Sequence, residues 1–99
     1  MSETIVKGTS EFDELERSIR DLTAQVIWMK EFSYRWSCIR HHGEKLEEHY
    51  RANAGADDTA LAYLAGIVRK AGEKVAAADR WLMDNEPKLN RMMQLLGDE

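Results

Sequence analysis

Between Phe12 and Trp36, eight residues (Phe12, Leu15, Ile19, Leu22, Val26, Met29, Ser33 and Trp36) follow one another at alternating spacings of three and four. This is a heptad seam: on an α-helix these positions form one stripe, and a stripe that apolar has to be buried against another. A second seam runs through Leu61, Leu64, Val68, Ala71, Val75, Ala78, Leu82, Asn85, Leu89, Met92 and Leu96 with the same alternation. A chain with two such seams and little else is restricted to helices packed side by side.

The stretch between the seams decides how they meet. Asn53-Ala54-Gly55 has the composition of a helix stop, with Gly55 able to take the left-handed conformation, and Asp57-Asp58-Thr59 that of a helix start. The chain is therefore expected to reverse over 54–58. Folding it back there sets Tyr50 against Leu61, Gly43 against Val68, Trp36 against Val75, Met29 against Leu82, Leu22 against Leu89 and Leu15 against Leu96. Two independent patterns thus share one register. Bulk is complementary as well, because Trp28, Phe32 and Trp36 come opposite a part of the second helix rich in Ala71, Gly72, Ala76, Ala77 and Ala78. Large residues facing small ones let helices interdigitate closely. The same register places Lys30 beside Asp79.

The expected fold class is all-α: an antiparallel two-helix coiled-coil hairpin with a Pro-kinked C-terminal helical segment, dimerising into a four-helix bundle. Residues 1–9, without periodicity and containing Gly8, are expected to form a flexible N-terminal tail, and 10–97 a single hairpin domain. Its first helix spans about 10–53, capped by Ser10 with Asp13 as the capping-box acid. Glu11, Asp13, Glu14 and Glu16 then favour the positive end of the helix dipole. Pro87 lacks an N–H and disfavours a helical residue before it, so the second half is expected to kink there or to restart, as helices of about 59–85 and 87–96 with Asp84 or Asn85 as cap and Gly97 as stop. Two points stay open. Gly43 costs about 1 kcal/mol in a helix interior and offers a break at His42–Gly43, although its place on the seam favours continuity. Beyond Trp36 the seam drifts, with Arg40 on a core position and Ile39 and Leu46 one residue to its side, as in a helix that does not supercoil.

With Leu15, Leu22, Met29 and Trp36 taken as d, and Ile19, Val26 and Ser33 as a, the two flanks differ. The g side carries Phe32, Ile39 and Leu46 from the first helix and Ile67, Trp81 and Leu95 from the second. The e side carries Glu16, Thr23, Lys30, Ser37, Glu44, Arg51, Gly72, Asp79 and Glu86. A two-helix hairpin buries one stripe per helix, so the apolar g flank is expected to need a cover. A second copy, giving a homodimer, is one; a groove on a larger protein is the other. Trp28, beside that flank, has the character of an interface anchor. The expected partner-binding residues are Trp28, Phe32, Ile39, Leu46, Ile67 and Trp81.

Composition narrows the function classes. Of 99 residues 32% are charged, with a formal net charge of −4, the wrong sign for a general nucleic-acid binder. Residues 1–25 hold three basic and six acidic groups, residues 30–51 five and four, and residues 66–91 six and four, so no block is basic enough to track phosphates. Arg35, Arg40, Lys45 and Arg51 do interleave with Tyr34, Trp36, His41 and Tyr50 in a way that could stack bases, but Glu44, Glu47 and Glu48 share the stretch. A nucleic-acid-associated helical protein is therefore the alternative reading.

His41, His42, Glu44, Glu47, Glu48 and His49 could contribute to a metal site completed by a dimer. The second helix, however, offers no histidine, and three or four converging ligands are needed. Cys38 comes with no nucleophile elbow or oxyanion loop, and the six glycines are isolated, so no phosphate loop is formed. No enzyme activity, metal or cofactor is expected. One cysteine excludes an internal disulfide and fits a reducing compartment, and the longest apolar runs are far short of a bilayer span. A cytoplasmic, stoichiometric protein-binding module follows: an adaptor, inhibitor or regulator of a larger protein assembly.

Overall fold

The computed structural model describes residues 9–53 and 58–97. Two helices occupy nearly all of them: α1, Ser10–Ala52, and α2, Asp58–Leu95, packed against each other as a helical hairpin. The expected turn residues 54–57, with Gly55 and Asp57, and most of the expected tail lie outside the described residues.

Local chemistry accounts for the helix ends. At the start of α1 the cap is Thr9 and not Ser10: Phe12 N–H donates to Thr9 Oγ1 at 3.1 Å, and Asp13 N–H to the Thr9 carbonyl at 3.2 Å. Adjacent hydroxyls compete for this role, and the heptad phase, which ignores caps, does not choose between them. Glu11 and Asp13 occupy the first turn and His49 and Arg51 the last, both favourable to the dipole. The Asn53 amide donates to the His49 carbonyl at 2.8 Å, satisfying an acceptor that the helix end leaves open. At the far end of α2, Gly97 has φ 75° and donates its N–H to the Gln94 carbonyl at 2.9 Å, a stop only glycine makes without strain.

The separate helices expected on either side of Pro87 are one. α2 runs through Pro87 without interruption, and Asn85, expected as a possible cap, instead donates its side-chain amide to the Trp81 carbonyl at 2.8 Å in the preceding turn. Pro87 occupies an f position, remote from the seam, and both it and Met83 four residues earlier are exposed. The Met83 carbonyl that loses its helical donor is therefore on the water side. The cost of a mid-helix proline, about 3 kcal/mol, is offset by continued burial along the seam beyond it, where Leu89 is buried and Met92 and Leu96 are half-buried.

The chain divides into two compact units, one of Met1–Met29 with Arg80–Glu99 and one of Lys30–Asp79. In the first, Val26, Leu82 and Leu89 form the buried cluster, with Ile19, Leu22, Met29, Trp81 and Met93 packed around it. These include both members of the expected pairs Met29–Leu82 and Leu22–Leu89. In the second, Ala71 and Ala78 are the most deeply buried residues, at 0% and 2% exposure, as expected where α1 presents Trp36. A Cβ built on Gly43 would come to 2.8 Å from Val68 Cγ2, so the helices touch at the pair the register predicts. Ser33 Oγ donates to Asp79 Oδ1 at 2.9 Å, one residue along from Ala78 in the same register.

Unit Lys30–Asp79 also resolves the drift. α1 is unbroken through Gly43, which is buried. The seam does not slide toward Ile39 and Leu46, which are 40% and 46% exposed. It keeps strict heptad phase through Arg40, Gly43 and Glu47. Arg40 is tolerated on it because its side chain stays half exposed, its guanidinium passing over Gly72 and its Nε lying 3.7 Å from Glu44 Oε1. Glu47, with a side chain only 15% exposed, is paired with Arg51 at 3.3 Å.

Candidate functional site

In unit Met1–Met29 with Arg80–Glu99 an apolar hollow lies where the seam meets its flank. Val26, Met29 and Leu82 hold α1 and α2 together there, which fixes Trp28 and Trp81 on their flank. Together with Ala24, Gln25 and Met29 these two indoles line a hollow of about 350 Å³. Trp81 is half-buried and packs on the core cluster. Trp28 is 59% exposed. The lining is almost entirely apolar, so the hollow can take an apolar side chain but holds no acid, base or nucleophile.

The remaining expected partner-binding residues belong to the other unit. Phe32 is half-buried, its ring centroid 6.2 Å from that of Trp36 at an interplanar angle of 57°. Ile67 is half-buried, and Ile39 and Leu46 are exposed. The six residues expected to bind a partner are therefore not equivalent: Trp28, Ile39 and Leu46 present area to solvent, whereas Phe32, Ile67 and Trp81 are half-buried.

Sequence reasoning missed several exposed apolar residues. Tyr63, 70% exposed, sits at a c position one turn before Ile67, just as Trp28 sits one turn before Phe32. Ile27, Tyr34 and Met83 are 54%, 71% and 76% exposed and occupy b positions toward the e flank, so exposed apolar area is not confined to one side. Ala24 and Gln25, which line the hollow, carry no signal in the sequence, being an ordinary f and g residue.

The polar stretch 41–51 is consumed locally. Lys45 lies 3.7 Å from Glu48 and Arg51 3.3 Å from Glu47. His49 Nε2 is 3.1 Å from the Asn53 amide nitrogen, and its ring stands edge-on to Tyr50 at 5.9 Å. His41 and His42 stand edge to face at 6.1 Å. Among the described residues no three His, Cys, Asp or Glu side chains come together as a metal would need. Of the cations that could track phosphates, Arg40, Lys45 and Arg51 each have a glutamate within 3.7 Å or less, a neighbour that repels phosphate. Replacing His41, His42 and His49 together with Gln should leave the thermal midpoint within a few degrees of the parent's, and a chelator should shift neither. A large chelator-dependent fall in the parent would show a metal site in this stretch.

Cys38 is half-buried and unpaired as a disulfide. No described helix is long and apolar enough to cross a membrane. Comparison of the chain with protein-family models, curated proteins and solved structures finds no match.

Proposed function

We propose that this chain is a non-enzymatic, cytoplasmic protein-binding module that acts stoichiometrically as an adaptor, inhibitor or regulator of a larger protein assembly, and that it associates with itself as a homodimer. The observation that carries this reading is the exposed indole of Trp28 at the mouth of the apolar hollow it shares with Trp81. A tryptophan exposed beside an apolar recess is the arrangement found at the energetic centre of protein interfaces. In the other unit Ile39, Leu46 and Tyr63 are exposed too. The pairing of the basic side chains of α1 with glutamates favours a protein partner over nucleic acid.

The test separates folding from association. Phe32 and Trp81 are half-buried, and Trp81 supports the core cluster, so the residues to replace are the exposed Trp28, Ile39 and Leu46. Changing all three to Ser should leave the helical circular dichroism largely intact. Association should weaken on the order of a hundredfold or more, since each apolar side chain removed from an interface takes a kcal/mol or more with it. Light-scattering mass across a concentration series, with and without an oligonucleotide, reads the outcome. A triple variant that keeps both mass and partner binding would remove these residues from the interface, and a mass that rises only with the oligonucleotide would replace the reading by nucleic-acid association.

A further inference from the structure

We propose that the face of unit Lys30–Asp79 carrying Ile39, Leu46 and Tyr63 docks an acidic amphipathic helix of a partner protein, whose carboxylates meet Arg35, Lys70 and Lys74. This rests on the protein-binding reading above and names the chemistry of the partner. All six residues belong to the one unit and all are exposed. They occupy g and c positions, which in an antiparallel pair of helices lie on the same side of the seam. The close approach of Gly43 to Val68 sets Ile39 level with Gly72, hence between Lys70 and Lys74 along α2, while Arg35 stands one turn before Ile39 on α1. Leu46 is likewise level with Ala65, between Tyr63 and Ile67. Ile39 is thus an exposed apolar side chain with a cation on each side of it.

Other cations of the unit are matched locally, since Arg40, Lys45 and Arg51 each have a glutamate within 3.7 Å or less. Arg35, Lys70 and Lys74 differ. Among the described residues no acidic oxygen lies within 4.0 Å of any of the three. Glu31 and Glu73, the acids next to them along the helices, occupy f positions, and no described c or g residue of the unit is acidic. The remaining c and g residues are apolar, amide or imidazole. An apolar face with a purely cationic rim complements a helix that carries apolar side chains at i, i+3, i+4 and i+7 with Asp or Glu beside them. Phosphate surfaces fit it less well. Residues 30–79 hold eight basic and eight acidic groups, so the unit lacks the net positive field that draws a protein to nucleic acid. Anionic lipid is held by clusters of about four to eight Lys or Arg, more than this face offers.

Two labelled synthetic helices test the proposal on the full chain by fluorescence anisotropy: one with a leucine stripe flanked by glutamates, the other with lysines in place of the glutamates. The acidic peptide should bind at least tenfold more tightly, with the difference shrinking at high salt. Arg35→Glu, Lys70→Glu and Lys74→Glu together should invert the preference. Arg69→Glu, an exposed b position of the same helix, should leave it unchanged, and circular dichroism checks that helix content is kept. Equal binding of the two peptides would overturn the proposal, as would an Arg69→Glu effect as large as that of the triple change, which would reduce the preference to net charge. Phosphatidylserine vesicles or an oligonucleotide bound more tightly than the acidic peptide, and lost in the triple variant, would overturn it in favour of lipid or nucleic acid. Failure here leaves the protein-binding reading to the separate mass measurement with Trp28, Ile39 and Leu46 replaced.

Discussion

Replacing Gly43 with Leu should lower the unfolding free energy by about 2 kcal/mol, and Val68→Ala in the same chain should recover much of that loss. Two opposed effects meet at this position. A side chain in place of glycine gains about 1 kcal/mol of helix propensity, and leucine is nearly as good a helix former as alanine. Against that, even the first carbon of a side chain would lie 2.8 Å from Val68 Cγ2, well inside contact distance. Val68 cannot swing aside, because a β-branched residue in a helix has one strongly preferred χ1 rotamer. The remaining carbons of leucine would force the helices apart, and overpacking typically costs 1–3 kcal/mol. Urea denaturation of the parent, both single variants and the double, at one protein concentration, measures the coupling. A Gly43→Leu chain as stable as the parent would mean that α1 and α2 do not approach here, and the register would be wrong with it.

Leu82→Ala should cost more, about 3 kcal/mol, with 2–5 kcal/mol the usual range for removing a buried leucine side chain. Leu82 is 9% exposed and belongs to the cluster with Val26 and Leu89, against which Met29 and Trp81 pack. The neighbouring Met83 is 76% exposed, and Met83→Ala should change stability by no more than about 0.5 kcal/mol. The two positions share a helix, a turn and nearly the same intrinsic propensity, so the difference isolates burial. Because folding and association can be linked, both variants should be compared with the parent at equal concentration. Equal losses at the two positions would mean that the seam of α2 is not the buried stripe.

The heptad spacings of Leu15 through Trp36 and Leu61 through Leu96 determined the helices, the reversal expected over 54–58 set their antiparallel register, and the contact at Gly43 and Val68 follows that register. Each seam is a repetition over many turns, so periodicity shows which stripe of each helix is buried, and the place of the reversal selects among registers seven residues apart. The polar e flank was legible for the same reason. Trp28 was legible as an odd residue beside the seam, though not the hollow it shares with Trp81.

What depended on a single position was decided by the tertiary structure. Thr9 rather than Ser10 caps α1, a choice between neighbouring hydroxyls that a period cannot make. Pro87 does not end α2, because its f position turns the broken hydrogen bond toward water while Leu89 beyond it stays buried on the seam. Ile39 and Leu46 remain outside and Arg40 and Glu47 stay in phase, because Arg40 keeps half of its side chain in water and Arg51 pairs with Glu47. In each case the sequence names the residue, but the free energy of placing it depends on what the opposite helix or the next turn puts beside it, and only the packed structure supplies that neighbour.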